Sequence, residues 1–381
     1  MNGCLAAVPA AIAIDDPVVT WTLAAFALAA AVTLGRELRH VPKDLLALMA
    51  TAFLDMAGLF FVLPILPFYV TKFLADGDTL FGLELGAGTL TGFVMAAFTL
   101  AQSATAPFWG RMSDRRGRRP ALLVALAATA FAYVLFGLAE SLLVLVLARL
   151  VQGAGGGTVG VIQAYVTDVM PPEQRARALG WLSAATNLGV ALGPAIGSWA
   201  VALGDVDLWP GQGRQALGAA APGFVAAAAC VANFVFVWCW LPEPVRRVTK
   251  PAHASPWRAA ATVVAHPRRP AARILFTYGI AIGAAQGVHF VLTYFLEARF
   301  GVTKQTIGRY FLYIGAWAVF ARTFLLGRAV ARFGELRLSR VGLVTLAIGL
   351  ATIPFTASVG TLALASALVP LGTAMTFPCV T

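Results

Sequence analysis

GRMSDRRGRRP, residues Gly110 to Pro120, is a short charged stretch between two long apolar ones, and its reading decides the fold. It holds five arginines and a single acid, Asp114. Arginines alone would describe a solvated basic loop, but the other residues ask for more. Gly110 and Gly117 permit a tight turn and a close approach of helices. Asp114 can accept hydrogen bonds from the arginines or face a helix N-terminus. Pro120 suits the first turn of a following helix. The stretch therefore reads as a built connection between two helices, near 87–108 and 120–139.

Outward from this connection, the same pattern repeats along the chain. A helix that crosses a bilayer core needs about 20 mostly apolar residues, because every backbone polar group must be satisfied inside the segment. Eleven such segments are predicted, near 18–35, 45–72, 87–108, 120–139, 142–168, 177–203, 217–241, 272–297, 306–327, 337–357 and 360–381. Composition agrees, with 59% hydrophobic and 12% charged residues; an average soluble domain has roughly 25% charged residues. The formal charge of +11 invites a nucleic-acid reading. That reading needs a basic face with groove-reading elements, whereas these bases lie in clusters between apolar runs. The expected partner is a lipid bilayer, with no nucleic acid.

Alternate loops differ in sign. Arg36, Arg39 and Lys43, then Arg111 to Arg119, Arg175 and Arg177, Arg246 through Arg273, and Arg328, Arg332, Arg337 and Arg340 fall on one set. Asp76, Asp78, Glu84, Glu140, Asp205 and Asp207 fall on the other. Excess positive charge marks cytoplasmic loops, so the first set is expected inside. The expected division is an additional hydrophobic segment and basic loop at 1–44, a six-helix bundle at 45–241, a Pro- and Arg-rich cytoplasmic linker at 242–271, and a second bundle at 272–381. Asp15 and Asp16 precede the 18–35 segment and its bases follow it, the reverse of a signal peptide.

GRMSDRRG (Gly110 to Gly117) recurs as GRAVARFG (Gly327 to Gly334), and at the same offset VLVLARLVQGAG (Val144 to Gly155) lies over TLALASALVPLG (Thr361 to Gly372). Two matches at one offset suggest duplication, as in transporter folds built from two repeats around a midplane site. By this register Thr381 corresponds to Ala164, so the second repeat is expected to hold four helices against six.

Three motifs carry a resemblance. GRMSDRRGRRP fits the loop motif of the major facilitator superfamily, through Gly110, Asp114, Arg115, Gly117, Arg118 and Arg119. LARLVQGAGGG (Leu147 to Gly157) resembles a second family motif, with Arg149 followed by Gln152. GVALGPAIG (Gly189 to Gly197) is similar to the motif of its antiporters, with Gly189, Gly193 and Gly197 forming one smooth helix face and Pro194 allowing a kink. Ser198 stands where the family often has another glycine. With EARFGVTKQTIG (Glu297 to Gly308), the chain is most similar to tetracycline-type and multidrug exporters.

The resemblance implies an all-α polytopic membrane protein of the major facilitator fold, two six-helix repeats of which the second lacks its last two helices. It implies no enzyme, and a secondary transporter exchanging protons for a drug-like or lipophilic small molecule, in a bacterial inner membrane and monomeric. A metabolite symporter or uniporter, or a membrane protein that does not transport, are the competing readings. Arg149 at membrane depth requires a partner or a water-filled cavity. Asp55, in FLDMAGLFFVLPILPFYV (Phe53 to Val70), is the acid in the middle of an apolar segment. Counting along the helices places the two within about 5 Å in depth, so direct or water-mediated pairing is within reach. The acids that tetracycline exporters typically carry in helices 3 and 9 are missing from the segments at 120–139 and 337–357. Phe60, Phe61, Phe68 and Tyr69, with Tyr294 and Phe295, are expected to line an aromatic pocket. Cys4, Cys230, Cys239 and Cys379, and His40, His253, His266 and His289, show no metal-ligand spacing, so neither metal nor cofactor is expected.

Overall fold

The computed structural model describes residues 42–80, 82, 85–204, 218–244 and 256–380. Helices make up the regular structure: α1 Lys43–Val62, α2 Leu66–Ala75, α3 Ala87–Arg116, α4 Arg118–Gly137, α5 Leu142–Gly155, α6 Thr158–Val169, α7 Pro172–Gly204, α8 Ala221–Trp240, α9 Pro256–Ala265, α10 Pro270–Phe300, α11 Ile307–Phe320, α12 Leu326–Phe333, α13 Glu335–Thr352 and α14 Val359–Val380. Ten of the eleven predicted segments coincide with these helices; 18–35 lies outside the described residues. Among the described residues, seven helices or helix pairs are long and apolar enough to cross a membrane. The span at α3 fails that measure because Gly, Thr, Ser and Gln interrupt its apolar run, and α11 because it is short. The linker is not wholly irregular, since it contains α9.

Two predicted single helices are each a pair. The first apolar segment breaks at Leu63–Ile65, where Pro64 and Pro67 remove backbone donors. The segment at 142–168 breaks at Gly156 and Gly157. The carbonyls near that break are taken by α3: Trp109 Nε1 donates to the Ala154 carbonyl at 2.6 Å and Gln102 Nε2 to that of Gly156 at 3.0 Å. Helix α7, by contrast, runs through Pro194.

Gly117 and Gly334 make the same turn. Each has positive φ, 114° and 75°, and each donates its N–H back four residues, to Ser113 and Val330. The repeated octapeptides thus end on one backbone device. Gly110 does not turn the chain: it lies inside α3, and Gly117 alone separates α3 from α4. The end of the bundle bearing these turns is called the basic end below.

The first six spans enclose two apolar clusters. One, toward the far end, gathers Phe61, Ile65, Leu66, Leu90, Val94, Tyr133, Leu145 and Cys230. The other, toward the basic end, gathers Leu48, Ala52, Leu122, Leu126, Ile162, Tyr165, Leu182 and Val237. Buried Thr51, Thr129, Arg149, Gln152, Thr158 and Asn233 lie at the levels between them. Outward-facing side chains are apolar and large: Leu100, Phe131, Trp238 and Ile280 are all exposed. Such a surface suits lipid, and would be an aggregation liability in water.

Candidate transport site

The polar layer between the two clusters is built on α1, α4, α5, α6 and α8. Asp55 sits mid-way along α1, and Thr158, the first residue of α6 after the glycine break, donates its hydroxyl to Asp55 Oδ2 at 2.6 Å. That bond is charge-assisted. Arg149 on α5 is fully buried and donates through Nη1 to Gln152 Oε1 at 2.7 Å. Its guanidinium lies over the rings of Phe98 and Phe136, at 6.0 and 5.9 Å. Arg149 Nε is buried with no hydrogen-bond partner. Tyr133 of α4 reaches across to α1, where a Cβ on Gly58 would lie 3.0 Å from its hydroxyl. Asn233 of α8 donates to the Thr51 carbonyl at 3.4 Å.

Of the two pairings within reach, the direct one is not formed: Asp55 and Arg149 make no ion pair with each other, whereas Arg118 pairs with Asp114 and with Asp168. Depth counting fixes height along a helix but not rotation about its axis, and rotation hands each charge a neutral partner instead. Sequence reasoning missed Thr158, although a threonine directly after GAGGG was a visible signal: a helix restarting at a break leaves its first side chains free to face inward.

Helix α7 is gripped on two faces. A Cβ on Gly189 would lie 2.5 Å from the Phe53 carbonyl oxygen, and one on Gly193 2.6 Å from that of Ala57; Gly197 stands likewise against Phe61. The three glycines thus seat α7 directly on the α1 backbone, on both sides of Asp55. On the other face, Ser198 Oγ accepts the Gly308 N–H at 2.8 Å, a Cβ on Gly315 would meet Ala191, and Arg322 in the π-helical turn Ala321–Leu325 donates to Asn187. Ser198 therefore has a use its family counterpart glycine would lack: it caps a donor in the first turn of α11.

At the basic end Arg118 is the hub. It reaches Asp114 at 2.6 Å, Asp168 of α6 at 2.8 Å and Ser113 Oγ at 2.7 Å. Asp168 is the more enclosed acid, 23% exposed against 60% for Asp114. Glu243, just beyond α8, accepts the backbone N–H groups of Arg118 and Arg119 at 2.7 and 2.9 Å, capping α4. Arg119 donates to the Trp238 carbonyl and lies over its ring. The φ of 114° demands glycine at Gly117, and a Cβ there, 2.5 Å from Glu243 Oε1, would also push the capping carboxylate aside. Arg115 is exposed. Asp168 and Glu243 went unremarked in the sequence because each lies some fifty or more residues from the motif it serves.

The aromatic residues divide between two apolar clusters: Phe61 and Tyr69 belong to the first, and Phe68 and Phe295 pack against another. Phe61 is closed into the first cluster at 2% exposure, because Gly197 lets α7 press onto it, and Phe60 lies one position away, half-buried. Tyr294 bonds Thr91 Oγ1 at 2.7 Å and the Ala87 carbonyl at 3.1 Å, joining α10 to α3. Phe295 stacks edge-on against Phe300 in a separate cluster.

Comparison with known proteins gives this geometry its family. The sequence model of the Major Facilitator Superfamily matches residues 48–381. The chain belongs to the Major Facilitator Superfamily. It is a multi-pass integral membrane protein of an all-α transporter family, not an enzyme. It is 28% identical over 285 residues to the class B tetracycline resistance protein of Escherichia coli, covering 74% of this chain and 65% of that protein. With the class C protein of Escherichia coli it shares 29% identity, over 82% of this chain and 73% of the other. The chain thus spans about two thirds of the length of these curated relatives. Among solved structures, the human organic anion transporter MFSD10 (TETRAN) superposes with a TM-score of 0.66 at 22% identity, over 89% of this chain and 85% of that one. A bacterial homologue of the human lysosomal transporter Spinster, inward-facing and unoccupied, gives 0.71 at 19%, over 89% and 75%. These likenesses show the fold.

Proposed function

We propose that this transporter exports a drug-like or lipophilic small molecule in exchange for protons, by alternating access, with its basic end at the cytoplasmic face of a bacterial inner membrane. The observation that carries the reading is the polar layer: one carboxylate, Asp55, held by a neutral hydroxyl, in the same layer as a buried arginine held by a neutral amide. Protonation of Asp55 converts a charge-assisted bond to Thr158 into a neutral one, roughly halving its strength, and removes negative charge from the layer that holds Arg149. A ligand or proton shifts a conformational balance only by its differential affinity for the two states; Asp55 supplies that difference. The glycine seat of α7 on α1 couples the layer to the seam with α11. The Arg118 hub, tying α3, α4 and α6 through Asp114 and Asp168, serves as the gate at the cytoplasmic end. The antiporter-like α7 motif and the tetracycline resistance relatives favour export, and the chain works as a monomer.

The test is uphill transport in proteoliposomes under an imposed pH gradient. Asp55→Asn is expected to reduce uphill export to the passive level while downhill exchange persists. Uphill export at the wild-type rate in that variant refutes proton coupling through Asp55.

A further inference from the structure

Away from the polar layer, at the opposite end from the basic loops, Phe68, Tyr69 and Lys72 of α2, Val201 of α7, Gly218, Ala219 and Pro222 before and within α8, and Lys304 from the turn before α11 line a small open cavity of about 40 Å³. That volume holds about three water-sized groups, enough for one oxyanion and too little for a drug. The lining contains two ammonium groups and no carboxylate. Among the described residues neither lysine forms an ion pair, although Asp76 follows Lys72 by one turn. Tyr69 donates to the Ala219 carbonyl, so that acceptor is taken.

We propose that this cavity seats the phosphate of an anionic bilayer lipid. The walls favour a lipid over a soluble anion: Phe68, Val201 and Pro222 are apolar, and on α7 Trp199 is 59% exposed beside Val201. Aromatic residues of that kind mark the headgroup level, and lysines near helix ends reach the same level. Lys72 comes from the first six spans and Lys304 from the later ones, so one headgroup bridges the two groups of helices beside the Ser198–Gly308 and Tyr294–Thr91 bonds. Occupancy therefore favours the state in which this end is closed. The inference goes beyond the transport reading and stands without proton coupling.

The experiment is native mass spectrometry and thermal melting of the purified full chain, titrated separately with phosphatidylglycerol, phosphatidylcholine and inorganic phosphate. Phosphatidylglycerol is expected to be retained and to raise the melting temperature. Lys72→Gln with Lys304→Gln is expected to weaken its apparent Kd about thirtyfold, and Lys304→Gln alone about fivefold; the single variant, in a turn, serves if the double one does not fold. The paired Arg replacements keep the charge and should keep binding. Unchanged retention in the Gln variants, or equal retention of phosphatidylcholine, overturns the proposal. Equal protection by inorganic phosphate overturns the lipid assignment in favour of a soluble anion.

Discussion

Replacing Gly193 by alanine adds one carbon at the middle of the three glycine seats of α7 on α1. Its Cβ would lie 2.6 Å from the Ala57 carbonyl oxygen, 3.0 Å from Phe60 Cβ and 3.1 Å from the Phe61 backbone nitrogen. Two of these three partners are backbone atoms of a buried helix and cannot swing away. Carbon prefers neighbours at about 3.5 Å or beyond, so α7 has to retreat by about half an ångström or more. Overpacking of this kind costs about 1–3 kcal/mol, and each kcal/mol lowers the melting temperature by only about 1 °C in a chain of this size. Intrinsic preference points the other way, since alanine is better than glycine in a helix by about 0.5–1 kcal/mol. Gly180, on the same helix with nothing within 4 Å of its Cβ, isolates that preference. Gly180→Ala should therefore be neutral or stabilising and Gly193→Ala destabilising by about 1–4 °C, as read by fluorescence-detected size exclusion after heating. Because Ala57 is two residues from Asp55, export should fall in the same variant. A Gly193→Ala protein as stable as Gly180→Ala refutes the direct helix seat.

Further outcomes follow from the same geometry. Arg149→Met should keep or raise thermal stability while abolishing coupled export, because replacing a buried charge with an apolar side chain of similar volume is often neutral or stabilising; a loss above about 3 kcal/mol would show that Arg149 is structural. Asp168→Asn should cost more stability than Asp114→Asn, about 1–2 kcal/mol against less than about 1, because the exposed partner is screened; the reverse order in thermal melts removes Asp168 from the hub. Ser198→Ala should lose about 1 kcal/mol and raise labelling of a cysteine placed at Thr91; unchanged labelling argues against a closed seam there.

The helices were legible because a bilayer demands long apolar runs, and the basic turns because Gly117 and Gly334 sit in repeated octapeptides whose glycine spacing survives the loss of Asp114 to Ala331. The breaks at Pro64 and at Gly156 were written in the residues but hidden inside continuous hydrophobicity. Helix α3 is helical without being uniformly apolar, and some of its polar residues serve its neighbours: Gln102 meets the Gly156 carbonyl at the break after α5, and Thr91 meets Tyr294 of α10. Asp55 and Arg149 stood out because charge is rare in apolar segments. Their partners did not. Thr158 and Gln152 are ordinary residues, chosen by helix rotation, which periodicity cannot fix when all faces of a helix are apolar. The division of the aromatic residues between two clusters was hidden for a related reason, since composition says that Phe61 is buried and not against what.

A direct Asp55–Arg149 pair would be a poor device for a cycling transporter. At 4 Å and an effective dielectric near 20, two unit charges attract by about 4 kcal/mol, nearly a thousandfold in equilibrium. Every protonation of the acid would then have to overcome that attraction, and one state would dominate. Here Thr158 holds the carboxylate at 2.6 Å, and Gln152 at 2.7 Å, the Met95 sulfur and the rings of Phe98 and Phe136 hold the guanidinium, so that neither charge is locked to the other. A hydrogen bond from a neutral donor to a charged group contributes about 1.5–3 kcal/mol, a size that protonation can redistribute. On the proposed reading, the neutral spacers keep the two states of the cycle close enough in free energy to be reversed by one proton, and the apolar clusters above and below the layer confine that proton's effect to the α1–α7 contact.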